Sequence, residues 1–108
     1  MAGSGHTPYP VFAQALDAGS VARVLNIARD MPTIGLSDAL RIVYLLRDDE
    51  RYEKFAVRWI VRFGAEGRDV DTDAIVAAGL ALQALPDRPD SAMPQLRELL
   101  EQHPPASG

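Results

Sequence analysis

The sequence predicts an all-α fold, a single domain built as a compact array of about six short helices, and three observations carry that prediction. Between Asp49 and Phe63, the residues Tyr52, Phe55, Ala56, Trp59, Ile60 and Phe63 recur at i, i+3, i+4, i+7, i+8 and i+11, the spacing of one helix face. No segment sustains a period-two alternation with β-branched enrichment, so no strand is predicted. The apolar stretches are separated by Gly, Pro and capping Ser or Asp, the residues that start and stop helices.

Taken in order, the first helix is expected from about Pro10 to Ala18. Proline is tolerated in a first turn, and Gly19 suits the left-handed residue that closes a helix. Ser20 is placed to cap the second, whose Val21, Val24, Leu25, Ala28 and Met31 share a face before Pro32 stops it. The third begins after Ser37 and is apolar around most of its circumference through Ala39, Leu40, Ile42, Val43, Tyr44, Leu45 and Leu46, with Arg41 as the main interruption. Such a helix belongs at the centre of a domain.

Asp48 or Asp49 is expected to cap the fourth helix, which ends near Gly64. Val70, Asp71 and Ile75 have the spacing of a hydrophobic staple around an Asp cap, opening a fifth helix that Pro86 terminates. The sixth presents Met93, Leu96, Leu99 and Leu100 on one face and requires Pro94 in its first turn. The core is therefore expected to join Tyr52, Phe55, Trp59, Ile60 and Phe63 to Leu40, Val43 and Leu46. Residues 1–8 and 104–108, rich in Gly, Ser, Pro and Ala, read as tails around a helical domain at 9–103.

Short connections leave two arrangements open, stacked helical hairpins or an orthogonal bundle. The tetratricopeptide pattern of Trp, Leu-Gly, Tyr, Ala and Pro is missing, so no repeat array is predicted. In the order of Phe12, Ala15 and Leu16, then Leu36-Ser37-Asp38-Ala39-Leu40, then Ala56-Val57-Arg58-Trp59-Ile60-Val61-Arg62-Phe63, the chain resembles small, uncharacterised all-helical actinobacterial proteins that have no assigned activity. The resemblance implies a helical domain and transfers no functional residue.

Composition narrows the function classes. The chain has 108 residues, 47% of them hydrophobic and 24% charged, ordinary usage for one globular domain able to bury a core. Cysteine is absent, which excludes disulfides, thiolate chemistry and cysteine-bound zinc and suits a reducing compartment. The first ten residues lack the cationic start and apolar core of a signal peptide. The longest nearly unbroken apolar run, Ala74 to Leu85, falls short of the roughly 20 residues that cross a bilayer. A soluble, cytoplasmic protein with no membrane attachment is expected. The net charge of −4 repels polyanions in the summed field, so nucleic-acid binding requires a local exception.

No constellation of reactive residues emerges. Asp69, Asp71 and Asp73 imitate the first half of a calcium loop, but the required glycine is replaced by Ala74 and the closing glutamate by Leu80. Helix capping accounts for these acids more simply. Gly64-Ala65-Glu66-Gly67 matches the two-glycine loop of KH domains, yet no sheet surrounds it and Glu66 would meet phosphate; helix termination and a turn are expected there instead. Asp48-Asp49-Glu50 reads as a cap with first-turn acids. His6 and His103 lie in or beside the tails, where neither is held for catalysis. No catalytic residue, metal ligand or cofactor is assigned, and the chain is expected not to be an enzyme.

The remaining candidate is one side of the fourth helix. Arg51, Lys54, Arg58 and Arg62 fall within about a quarter of its circumference at about 100° per residue. Val57 and Val61 form an apolar pair beside them, away from the Trp59 face. Aliphatic anchors flanked by arginine suit a protein interface; a solvated face with a Glu50–Lys54 pair and a phosphate-binding stripe are the competing readings. The fifth helix adds a ridge of Ala77, Ala81 and Ala84, expected to pack internally, and leaves Gln83 as the only polar residue of its interior. The sequence thus points to a non-enzymatic interaction or adaptor module that uses Arg51, Lys54, Val57, Arg58, Val61 and Arg62 toward a protein partner. The alternative is a nucleic-acid-associated regulator using the same stripe.

Overall fold

A computed structural model describes residues 9–29 and 34–105. Among these residues every regular element is a helix: α1 (Tyr9–Ala18), α2 (Val21–Arg29), α3 (Leu36–Leu45), α4 (Tyr52–Glu66), α5 (Thr72–Ala84) and α6 (Pro89–Gln102). The sequence signals explain several boundaries directly. Gly19 adopts φ 72° after α1, and Gly19 and Ser20 donate backbone bonds to the carbonyls of Leu16 and Ala15. This is the paired C-terminal closure that a left-handed residue permits. At α5, the Asp71 carboxylate accepts from the Ala74 backbone N–H at 2.9 Å, while Val70 and Ile75 pack on the same core, as the staple predicts.

Packing follows the sequential hairpins. The pairs α1–α2, α3–α4 and α5–α6 lie together, and α4–α5 and α3–α6 contacts close helices α3 to α6 into a four-membered ring. The α1–α2 hairpin docks on α3 at the side of that ring, giving a body of 47 × 31 × 20 Å. The apolar circumference of α3 is thereby explained, since it touches α1, α2, α4 and α6. One core joins Leu36, Leu40 and Val43 to Trp59, Phe63, Ala78, Leu82, Leu85 and Leu96. A second joins Ile42 and Leu46 to Phe12, Leu16 and Val24. Leu46, expected beside Trp59, belongs to this second cluster because it points from α3 toward α1. Tyr52 and Phe55 are half-buried and touch both clusters.

Two polar bonds fix α4 within the ring. The Trp59 indole N–H donates to the Leu36 carbonyl at 2.9 Å, and the Tyr52 hydroxyl donates to the Leu82 carbonyl. Burial pushes the Tyr52 phenol up to about 12, because a phenolate there would lose hydration.

Several boundaries differ from expectation. Helix α3 starts at Leu36, with Gly35 at its N-cap and no side-chain cap, because Leu36 is drawn into the core rather than left ahead of Ser37. Helix α4 starts at Tyr52 instead of after Asp48 or Asp49, and it runs through Gly64 to a C-cap at Gly67. Gly64 instead permits close packing, since a Cβ there would sit 3.1 Å from Ile75 Cδ1. Helix α6 opens with Pro89 at its first turn, so Pro94 lies inside it. Both Asp90, whose carbonyl loses its i+4 donor, and Pro94 are exposed, where solvent satisfies that carbonyl.

Residues 103–105, which follow α6, bond back to the turn after α4. The Arg68 N–H donates to the Pro104 carbonyl at 3.0 Å, Gly67 and Pro105 form an antiparallel bridge, and His103 Nδ1 lies 2.8 Å from the Arg68 carbonyl. The His103 ring meets Phe63 edge-on at 6.0 Å, so it is held in place. Met31 and Pro32, assigned to the second helix and its stop, His6 and residues 106–108 lie outside the described residues.

Candidate partner-binding face

The fourth helix divides its circumference sharply. Trp59 and Phe63 are 2% and 0% exposed, whereas Val57 and Val61 on the opposite side are 55% and 64% exposed. The valine pair is thus surface rather than a second core.

The four cations expected beside it do not act alike. Arg51 precedes the helix and folds back on Asp49, with Nε 2.9 Å from Oδ1 and the other guanidinium bond at 3.0 Å. These bonds, together with the Arg51 backbone N–H, hold the Asp49 carboxyl down at about 2. Arg62 grips Glu66 through two bonds, of 2.8 and 3.1 Å, and donates to the Ile34 carbonyl at 2.7 Å. The Arg62 bonds hold the Glu66 carboxyl below the usual carboxylate range. Arg62 therefore ties α4 to the segment ahead of α3.

Lys54 and Arg58 remain. Among the described residues neither forms an ion pair, and the Arg58 guanidinium lies over the Phe55 ring at 5.7 Å. The Glu50–Lys54 pair of the competing solvated-face reading is not formed among the described residues, because Glu50 precedes the first turn of α4 and lacks helical i, i+4 geometry. The basic stripe thus contracts to two free cations beside two valines.

The structure adds two residues of the fifth helix that were given no face in the sequence. Val76 and Leu80 on α5 are 53% and 61% exposed. Helix α5 turns Ala74, Ala78, Ala81 and Leu82 inward, so Ala77, expected in the internal ridge, faces out. Its outward side continues the apolar surface of α4, because the two helices meet where a Cβ on Gly79 would lie 3.6 Å from Ile60 Cδ1. Between them runs a shallow groove of about 450 Å³ lined by Tyr52, Glu53, Ala56, Val57, Ile60, Gly79, Leu82, Gln83 and Pro86. At about 100° per residue, Val76 and Leu80 lie about 60° and 100° from Gly79 on its solvent side. One signal for this was present: Gln83 was too little polarity to give α5 a water-facing side.

The other chemical candidates resolve into structural roles. Asp71 is committed to capping α5, and Asp69 takes a left-handed φ of 55° in the preceding turn, which Asp tolerates. Gly64, Ala65 and Glu66 are helical, so the two-glycine stretch forms no loop. All buried side chains among the described residues are apolar, and no described helix is long and apolar enough to cross a membrane. Comparison with protein-family models, curated proteins and solved structures finds no match to the chain.

Proposed function

We propose that the chain is a non-enzymatic interaction module whose outer α4 face docks a protein partner. The carrying observation is the exposure of Val57 and Val61, at 55% and 64%, on a helix whose opposite face already supplies the core. Aliphatic anchors beside Lys54 and Arg58 combine a dehydrating centre with a polar rim, the anatomy of a protein interface. Of the six residues expected to bind, Val57, Val61, Lys54 and Arg58 face the partner. Arg51 and Arg62 support them by fixing the two ends of α4.

The rival reading, a regulator bound to nucleic acid through the stripe, is weakened by the same geometry. Two free cations neutralise few phosphates, and Asp49 and Glu66 answer the other two. The test places a photo-crosslinking residue at Val61 of the full chain in native lysate, with Gln95 on α6 as the control site. Discrete protein adducts at position 61, resistant to nuclease and reduced by Lys54→Glu with Arg58→Glu, are expected. Adducts identical to the Gln95 pattern refute the reading, and nuclease-sensitive adducts favour the nucleic-acid alternative.

A further inference from the structure

We propose that a cleft between α1, α3 and α6 binds a small monocarboxylate with an apolar body. This site is separate from the α4 face and does not rest on the partner-docking reading. The cleft measures about 200 Å³ and is lined by Leu16, Arg41, Tyr44, Leu45, Met93 and Arg97. Arg41, Tyr44 and Leu45 stand at i, i+3 and i+4 on α3, and Met93 and Arg97 at i and i+4 on α6, so each set shares one helix face. Leu16 of α1 and Met93, 5% and 6% exposed, supply the buried apolar lining. Arg47 holds the aromatic wall, lying 4.2 Å from the centre of the Tyr44 ring and donating to the Tyr44 carbonyl at 3.0 Å.

The charge of the lining selects an anion. Both charged lining residues are arginines, and no described carboxylate lines the cleft. Arg41 bonds Asp17 at 2.7 Å, with the two side chains 40% and 74% exposed. An exposed pair of this kind contributes little, so Arg41 shares or exchanges that contact at small cost. Arg97 forms no ion pair among the described residues, although Asp90 and Glu101 border neighbouring clefts that it also lines.

The same groups limit the ligand to one negative charge. With Arg41 matched by Asp17, the cleft carries one uncompensated cation, and Asp90 and Glu101 beyond its edges disfavour a second anionic charge. A carboxylate fits that count, and its two oxygens suit planar guanidinium forks. A phosphate monoester, close to dianionic at neutral pH, exceeds it. The volume lies below the roughly 300 Å³ of the smallest drug-sized pockets, so the apolar body is a single ring or a short chain. Leu16, Leu45, Met93 and the Tyr44 ring would remove that body from water.

The probes are phenylacetate, its neutral analogue phenylacetamide, and phenyl phosphate. Each is titrated to about 10 mM into the isotope-labelled full chain, followed by backbone amide and arginine side-chain NMR signals. Phenylacetate is expected to shift the Arg97 side-chain signal and the Leu45 and Met93 amides saturably, and to weaken as salt rises. Phenylacetamide and phenyl phosphate should each bind about tenfold more weakly. Arg97→Gln should weaken phenylacetate about tenfold and leave the melting temperature unchanged, because that side chain is exposed. Arg58→Gln, on the α4 face, should leave phenylacetate binding unchanged.

Absence of a saturable shift with phenylacetate, equal affinity for phenylacetamide, or undiminished binding by Arg97→Gln overturns the proposal. An equal loss with Arg58→Gln does so too, because bulk charge attraction then accounts for the binding. Tighter binding of phenyl phosphate refutes the monocarboxylate, and shifts centred on Val57 and Val61 refute the cleft. Crosslinking at Val61 decides the α4 reading separately, so either can fail alone.

Discussion

Replacing Trp59 tests the architecture most directly, because three separate contacts converge on it. The side chain is 2% exposed, its N–H donates to the Leu36 carbonyl at 2.9 Å, and its ring stacks on Phe63 at 5.3 Å and 10°. Truncation of a buried tryptophan to alanine costs about 3–5 kcal/mol. The lost hydrogen bond, worth about 1 kcal/mol net, and the lost stacking, about 0.5–1.5 kcal/mol, place Trp59→Ala toward the top of that range. Domains of this kind have about 5–15 kcal/mol in all. With a urea slope of about 2 kcal/mol per M, the unfolding midpoint measured by circular dichroism should fall by about 2 M. Trp59→Phe retains most of the buried ring and loses the N–H bond, so it should cost about 1–2 kcal/mol and carries the test if the alanine variant does not fold. A loss below about 1 kcal/mol for Trp59→Ala, or equal losses for the two variants, would refute this account of the core.

Three further outcomes follow from named contacts. Gly67→Ala should destabilise by about 1–3 kcal/mol in the same melts, since its Cβ would lie 2.7 Å from Val70 Cγ2 and 2.9 Å from the Phe63 carbonyl oxygen; a neutral effect would contradict that close approach. Asp71→Ala should cost about 1 kcal/mol by removing the α5 cap, while millimolar calcium should leave the wild-type melting temperature unchanged; a saturable rise absent at matched ionic strength would restore the calcium reading. Bonds from the Arg51 side chain lower Asp49 from 3.8 to about 2, and those from Arg62 lower Glu66. A depressed folded-state pKa adds stability above the unfolded value that is lost as pH falls through the folded one. Stability should therefore decline between about pH 4 and pH 2, and Asp49→Asn with Glu66→Gln should flatten that decline in pH-dependent melts.

The helices were legible where local chemistry decides them, as at Gly19 and Asp71, and misplaced where tertiary contacts do. Ser37 is the better intrinsic cap, yet Leu36 becomes the first residue of α3 because its side chain enters the core and its carbonyl receives Trp59. Asp49 has the chemistry of a helix cap but bonds Arg51, ahead of the helix it was expected to open. The pattern of α3 marked it as central without saying which neighbour each residue meets, so Leu46 was assigned to the wrong cluster. His103 was unreadable for a similar reason: its anchor, the Arg68 carbonyl, is 35 residues away.

The candidate site was half legible for a physical reason that the arginines make plain. Helical spacing placed Arg58 and Arg62 on one side of α4, and Glu66 four residues beyond Arg62 was visible as a neutralising neighbour. The Ile34 carbonyl that completes the Arg62 clamp lies 28 residues earlier, so no local pattern separates the fixed cation from the free one. Helix α5 poses the opposite problem, because it is apolar on nearly every side and its sequence does not say which side remains uncovered. Only the placement of α4 against Gly79 and of α6 against the buried alanines leaves Val76 and Leu80 outward. A single exposed valine pair on either helix would be ordinary surface. Val57 lines the groove between α4 and α5, and with Val61, Val76 and Leu80 exposed on the same two helices the apolar surface spans both helices rather than one.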